Sequence, residues 1–347
     1  DELVKSLSEE IILRKQELKG QEVKTIYFGG GTPSLLTADE IKYIINTIYH
    51  NYNVIDDSEI TLEANPDDLS KEKIISLSQT PINRLSIGIQ SFFEDDLKFM
   101  NRAHNASESK DCIENAIPYF ENISIDLIYG VQNATNERWM KNVEIALSYN
   151  IPHISCYALT VEPKTALASF IKKGQVPDID EGQSQQQFHM LVERLEREGF
   201  VHYEMSNFSK PGYFSKNNSA YWQGVSYMGI GPSAHSFNGV ERSWNVSNNS
   251  KYINAISEGT LPNEIEELTI TDRYNETVMT GLRTMWGISL EYVDRQFGES
   301  YKSYLLEQSE KYIKEQLLYI EDDKLRVTQK GKFLSDGIAS DLFKVNK

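Results

Sequence analysis

The sequence predicts an α/β fold in which parallel strands are wrapped by helices, followed by a helical module that ends in a short β-hairpin. Three observations carry that expectation. Short apolar runs alternate with helical stretches from Val23 to Leu159 in units of about 30 residues, the rhythm of strand–helix–strand crossovers. The apolar runs finish on glycine, carboxylate or amide residues, as strand ends that face a ligand do. After about residue 160 the alternation stops, and the final stretch reads as helices and then a hairpin. A barrel and a doubly wound sheet both fit this rhythm, with the barrel modestly ahead.

In chain order, Leu3, Leu7 and Ile11 recur every four residues on an opening helix that Gly20 ends. Val23–Phe28 is an apolar strand broken by Gly29-Gly30-Gly31. A helix starts near Thr37, where Thr37 and Glu40 have capping-box spacing. The pattern repeats as strand 60–63, helix 70–77, strand 84–89, helices near 94–100 and 107–119, strand 123–129, helix 136–149 and strand 153–159. A sixth strand is expected before Asp1, because the opening helix otherwise has no strand to cross over from. A long helix from Gln183 to Gly199 then leads into a Gly-, Ser- and Asn-rich tract around 206–250. Helices near 273–285, 290–297 and 301–316 precede a hairpin over Leu318–Val327, with Asp322-Asp323 at its turn and helix from Gln329. The reading divides the chain into a barrel over 1–205, a connecting segment over 206–265 and a winged-helix-like domain over 266–347.

Bulk properties narrow the function. A formal charge of −16 disfavours nucleic acid and anionic membrane surfaces as the main partner, so the winged-helix-like end reads as a cap or a protein contact rather than a DNA reader. No apolar run approaches the roughly 18 residues of a membrane helix, and stable membrane insertion is not expected. The two cysteines, Cys112 and Cys156, fit a reducing cytoplasm and cannot form a C-x-x-C metal site.

The strand ends hold the candidate chemistry. Gly29-Gly30-Gly31-Thr32 lets backbone approach a ligand closely and adds a hydroxyl, although a tight turn alone explains a triglycine about as well. Glu63 ends the second strand and suits a ribose hydroxyl or an amine. Gln90 places an amide at the end of the third, and Arg102 nearby could clamp a carboxylate through both guanidinium arms. Asp126 interrupts an apolar strand and needs a buried partner or a ligand. Each alone could be structural. Together they suit a small ligand with amino, carboxylate and sugar hydroxyl groups, not a phosphate, for which no G-x-x-x-x-G-K-[ST] is present. The six histidines lack zinc-ligand spacing.

Tyr27–Leu36 resembles the glycine motif of the oxygen-independent coproporphyrinogen III oxidase family of radical S-adenosylmethionine (SAM) proteins. The likeness continues in family order through Glu63-Ala64-Asn65-Pro66, Arg84–Phe92, Asn101-Arg102-Ala103-His104, Ile125–Gly130, Tyr157–Thr160, Tyr203–Phe208 and Gly229–Ser236. It implies a partial (β/α)6 radical SAM barrel whose first strand lies outside this chain, with a C-terminal helical domain. It also implies SAM contacts from Gly30, Gly31, Thr32, Glu63, Gln90, Arg102 and Asp126, with Ala158 and Ile230 against the adenosine. The family's C-x3-C-x2-C motif, which holds a 4Fe–4S cluster, is expected just upstream of Asp1, so no metal ligand is assigned within the chain and the radical chemistry is not open to it alone.

Within the family the sequence looks most like the HemW-type heme chaperone branch, which binds heme and passes it to acceptor proteins. The alternatives are an oxidase that decarboxylates coproporphyrinogen III to protoporphyrinogen IX and a non-catalytic docking module on the same fold. Asn217-Asn218-Ser219-Ala220-Tyr221-Trp222 resembles that branch's H-N-x-x-Y-W signature with Asn217 in place of histidine. His104 and His235 lie in motifs shared by the whole family, so the sequence assigns no heme ligand.

Overall fold

The computed structural model describes residues 2–132 and 134–345. They form two compact units: one comprises 27–38 and 59–214, and the other comprises 2–26, 39–58 and 215–345.

The first unit takes its strands from a curled seven-stranded sheet, in which residues 22–26 and 53–58 are counted with the second unit. Its strands are β1 (Glu22–Phe28), β2 (Asn53–Ala64), β3 (Arg84–Gln90), β4 (Asn122–Tyr129), β5 (His153–Ala158), β6 (Val201–Glu204) and β7 (Asn207–Ser209), in the spatial order β1-β2-β3-β4-β5-β7-β6. The pairs β2–β3, β3–β4 and β4–β5 are parallel, as the strand–helix rhythm predicts. Period-two alternation gives each central strand two unlike faces. Leu85, Ile87, Ile89, Ile123, Ile125, Leu127 and Ile154 are buried to within 1% exposure, and their size and β-branching supply the core. Arg84, Ser86 and Gly88, then Asn122, Ser124 and Asp126, then His153, Ser155 and Tyr157 alternate with them on the opposite face.

Three expectations change. The opening helix stops at Leu13, and a run of turns rather than helix reaches Gly20, which sits at φ +80°. The helix Glu181–Arg197 ends before Gly199 and feeds β6 and β7; β7 pairs antiparallel with both β6 and β5 instead of continuing the parallel series. The two strands are short and joined by a tight turn at Met205-Ser206, where Glu204 accepts from the Ser206 amide at 3.1 Å, so no crossover helix fits between them. Finally, the residues just after Gln329 form turns, and the last helix covers Ser335–Asp341.

In the second unit the Gly/Ser/Asn-rich tract is structured. It holds the helix Lys216–Trp222 and, with the segment after it, an antiparallel sheet of β8 (His235–Phe237), β9 (Glu241–Asn245) and β10 (Asn263–Glu267). The N-terminal helix Glu2–Leu13 joins this tract through Glu10, which is fully buried. Its carboxylate accepts from Tyr252 Oη (2.6 Å), the Gly231 amide (2.8 Å), Asn245 Nδ2 (2.8 Å) and Arg14 Nη1 (3.1 Å). A buried charge with this many donors is stable only as a set. The C-terminal part packs Tyr274, Val278, Leu282, Val293, Leu305, Leu318, Leu325 and Ile338 into a core of its own. Its small sheet has β11 (Ile288–Ser289), β12 (Leu318–Glu321) and β13 (Lys324–Val327), and the predicted turn is seen with Asp322 and Asp323 both at positive φ. No helix among the described residues is long and apolar enough to cross a membrane.

Candidate functional site

The polar strand ends converge in the first unit. After β1 the chain turns through Gly30 (φ +70°) and Gly31 (φ +63°), a left-handed conformation that disfavours any side chain, and nothing stands within 4 Å of where a Cβ would project. At Gly29 the reason for glycine is different. A Cβ there would lie 2.5 Å from the Tyr27 ring and 3.1 Å from the Glu63 carboxyl carbon. This close approach ties the turn to β2. The Tyr27 hydroxyl donates to Glu63 Oε1 at 2.5 Å and the Gly30 amide donates to Oε2 at 3.2 Å, so both carboxylate oxygens are fixed. Desolvation of its hydroxyl, then the Glu63 charge, holds the Tyr27 phenol well above its ordinary pKa, so it acts as a donor. Thr32 opens the 3-10 turn Pro33–Leu35 that follows.

The third strand delivers an amide and a guanidinium. Gln90 is buried at φ +65°, and the β3–β4 register shifts between Ile87 and Gln90. Arg102 reaches back over the strand: a Cβ on Gly88 would be 3.0 Å from Gln90 Nε2 and 3.7 Å from Arg102 Nη2. Among the described residues the Arg102 side chain makes no hydrogen bond or ion pair. Desolvation lowers its pKa against the opposing pull of the Asp126 and Asp67 charges. Its neighbour His104 is buried, with Nε2 3.0 Å from the Ile89 carbonyl and Nδ1 4.0 Å from Asp67.

Asp126 is the least satisfied group. Its Oδ1 is enclosed and has no hydrogen-bond partner among the described residues. Burial, reinforced by the Glu63 charge, pushes its pKa up to about 7, while the Ser155 hydroxyl, Arg84 and Arg102 pull the other way. Such an orphaned carboxylate oxygen is costly unless something binds it. Beneath it lies a buried polar chain. Ser124 Oγ is 3.3 Å from Ser155 Oγ and 2.7 Å from His153 Nδ1, and His153 Nε2 is 2.8 Å from Tyr203 Oη. Burial, then Arg84, holds His153 far below its usual pKa, and it is neutral.

The structure therefore brings Gly30, Gly31, Thr32, Glu63, Gln90, Arg102, Asp126 and Ala158 into one unit, with Glu63, Gln90, Asp126 and Ala158 on β2 to β5 and Arg102 in the segment after β3. Ile230 belongs to the other unit. There the Gly229 carbonyl accepts from Arg14 Nη1 at 2.7 Å and the Gly231 amide donates to Glu10, so the loop that carries Ile230 is clamped on both sides. The sequence reading passed over Tyr27, Tyr157 and the Ser124–His153–Tyr203 chain. Their signal was present: Ser124 and Asp126, and His153, Ser155 and Tyr157, recur at period two on adjacent strands. The chain can offer a small ligand two carboxylates, one guanidinium and a glycine-lined approach. It does not fit an iron–sulfur cluster. Among the described residues no group of three or more Cys, His, Asp or Glu side chains could hold a metal, and burial pushes the Cys112 thiol up to about 12 and the Cys156 thiol well above its usual value.

In the second unit, Asn217 accepts from Thr25 Oγ1 at 3.2 Å. Tyr221, 53% exposed, stands 5.6 Å from the rings of Trp222 and Tyr227, and Tyr227 is 6.2 Å from Phe237. These contacts make an open aromatic strip.

Comparison with known proteins follows the same layout. The profile of the radical SAM superfamily matches residues 2–146, and that of the HemN C-terminal domain matches residues 268–334. The chain is 33% identical to the heme chaperone HemW of Bacillus subtilis over 345 residues, covering 97% of this chain and 90% of that one. It is 32% identical to the heme chaperone HemW of Lactococcus lactis over 97% of this chain and 88% of that one. Among solved structures, coproporphyrinogen III oxidase (HemN) from Escherichia coli, a radical SAM enzyme, superposes with a TM-score of 0.82 at 22% identity, over 99% of this chain and 83% of that one. That last likeness is one of fold.

Proposed function

Because the chain belongs to the HemW branch of the HemN family of radical SAM proteins, we propose that it binds SAM at the strand ends and carries heme to acceptor proteins. The orphaned Asp126 Oδ1, between Glu63 and Arg102, is the observation that supports the SAM site most strongly.

SAM presents a carboxylate, an ammonium, ribose hydroxyls and a positive sulfonium, and the residues present fit it. Arg102, which makes no hydrogen bond or ion pair among the described residues, takes the carboxylate. Glu63, held by Tyr27 and the Gly30 amide, faces the glycine turn and takes a hydroxyl or the ammonium. Asp126 accepts from a hydroxyl that its own strand cannot supply. Gln90 lies beside Arg102 and helps to orient the same end of the ligand. Ala158 at the end of β5 gives apolar contact to the adenosine. Membership of the superfamily also implies a 4Fe–4S cluster, which when bound would supply reducing power to the SAM site. No residue of this chain is assigned to that step.

The heme-carrying reading rests on the two curated relatives that share nearly the whole chain, and the aromatic strip Tyr221–Tyr227–Phe237 supports it as a partly exposed aromatic surface. We assign the protein to the cytoplasm, in keeping with two buried free thiols. The acceptor's contact falls to the C-terminal helices and hairpin, where Tyr319 and Ile320 are exposed on the edge strand β12. Equilibrium dialysis of full-length protein against labelled SAM tests the site. Binding lost in Arg102→Ala and Asp126→Asn supports it, and unchanged binding in both rejects it. Protoporphyrinogen formed from coproporphyrinogen III under anaerobic, cluster-reconstituted conditions would move the assignment to the oxidase.

A further inference from the structure

We propose that Tyr203, His153, Ser124 and Ser155 are positioning residues for the ligand site, joined in a one-way chain of hydrogen bonds that keeps Asp126 in its ionised, accepting form; this deepens the SAM-binding reading above and rests on it.

All four side chains lie inside the first unit, and the contacts assigned to SAM leave every one of them unused. Strand register brings them together. In the parallel pair β4–β5, Ser124 is in register with His153, and Asp126 with Ser155. Ser124 Oγ is 2.7 Å from His153 Nδ1 and 3.3 Å from Ser155 Oγ, while His153 Nε2 is 2.8 Å from Tyr203 Oη on β6. The Ser155 hydroxyl in turn hydrogen-bonds the Asp126 carboxyl. Ring packing fixes the far end: Tyr203 stacks on Phe214 at 4.7 Å and meets His153 edge-on at 5.7 Å.

Counting hydrogens gives the chain a direction. All four side chains are buried, so the hydrogens between them come from the groups themselves. Burial, then the Arg84 charge, denies His153 a second ring proton, so it carries one. Tyr203, His153, Ser124 and Ser155 thus bring one hydrogen each to the four gaps that end on an ionised Asp126. Every gap is filled only when Tyr203 donates to His153 Nε2, Nδ1–H donates to Ser124, Ser124 to Ser155, and Ser155 to Asp126. The other ring tautomer sets bare lone pairs of Ser124 and Ser155 against each other, which is costly in a buried site. A protonated Asp126 adds a fifth hydrogen for which the chain has no acceptor. The remaining groups near Asp126 are accounted for. Glu63 opposes its ionisation, and Arg84 and Arg102 favour it. Burial keeps Tyr27, Tyr157 and Cys156 protonated and uncharged. The chain therefore joins the two arginines against burial, and it leaves Oδ1 free to accept from a ligand hydroxyl.

The test uses full-length protein with 15N-labelled histidine, in which ring-nitrogen shifts distinguish the two neutral tautomers and a His153→Gln sample assigns the signal. SAM affinity is followed by calorimetric titration across the neutral pH range for wild type, Ser155→Ala, Ser155→Thr, Tyr203→Phe and Cys156→Ala, with thermal midpoints to confirm folding. Wild-type His153 is expected in the Nδ1–H tautomer. Ser155→Ala is expected to move the midpoint of the affinity profile up by about one pH unit, which lowers affinity about fivefold at pH 7 but less than about twofold at pH 8. Tyr203→Phe is expected to move it the same way by less, and Ser155→Thr, which keeps the hydroxyl, and Cys156→Ala, which only removes a buried neighbour, to leave it in place. The Nε2–H tautomer in wild type overturns the proposal, as does an unchanged midpoint in folded Ser155→Ala or Tyr203→Phe, or an equal shift in Cys156→Ala. Failure of wild type to bind SAM at any pH would instead remove the SAM-binding reading, and the tautomer of the free protein would still decide the chain.

Discussion

Replacing Asp126 with asparagine separates what the residue costs the fold from what it gives the ligand. Burial and the Glu63 charge raise its pKa from 3.8 to about 7, so at pH 8 the folded protein holds a carboxylate that its surroundings disfavour. A shift of about 3 units corresponds to about 4 kcal/mol, at 1.36 kcal/mol per unit. The sign follows from proton counts. Between the unfolded pKa of about 4 and the folded value of about 7 the native state binds the extra proton, so stability falls as pH rises through that window. The penalty is thus about 4 kcal/mol at pH 8 and shrinks to under about 2 kcal/mol at pH 5. Asp126→Asn removes it. Thermal unfolding of the ligand-free protein should show the variant more stable than wild type by several degrees at pH 8, with a smaller gain at pH 5. The same variant should bind SAM at least tenfold more weakly, since asparagine cannot accept through both oxygens. A gain in stability that does not change between pH 5 and pH 8 would refute the reasoning about this carboxylate.

Other perturbations test separate parts of the account. Arg102→Ala should weaken SAM binding by about 10–100-fold, with each tenfold worth about 1.4 kcal/mol, while leaving the thermal midpoint of the free protein within about a degree because the guanidinium makes no hydrogen bond or ion pair among the described residues. Gly29→Ala should displace Tyr27, break its bond to Glu63 and lower SAM affinity, which calorimetric titration would read directly. Glu10→Ala should destabilise the second unit by about 3–5 kcal/mol in urea unfolding, because Arg14, Tyr252, Asn245 and the Gly231 amide all lose their acceptor. SAM affinity of wild type should rise with pH up to about 7, as Asp126 becomes the acceptor that a ribose hydroxyl requires.

Much of the first unit was legible because its strands obey one period. Leu85, Ile87 and Ile89 mark one face of β3, and the same alternation sets Gly88 and the polar residues on the other. The helix start near residue 70 was also legible, and the Ser70 hydroxyl accepts there from the Lys73 amide. What escaped the reading depends on distant partners. The strands β8 to β10 are short, and β10 reads Asn-Glu-Ile-Glu-Glu, a pattern that carries almost no strand signal by itself. Glu10 looked like one more acid on the polar side of a helix, yet it is fully buried because Tyr252, 242 residues away, donates to it. His153 looked like an isolated histidine until Ser124 and Tyr203 were seen on its two nitrogens. In each case one residue's role is set by a group that local pattern does not reveal.

Heme binding followed by transfer tests the central claim most directly. Full-length protein loaded with one equivalent of heme is mixed with a heme-free acceptor protein, and the Soret spectra of both are followed after separation. The account predicts saturable binding at micromolar heme and movement of heme to the acceptor faster than heme leaves the protein alone. No saturable absorbance change at micromolar heme, or release no faster with the acceptor than without it, would contradict it.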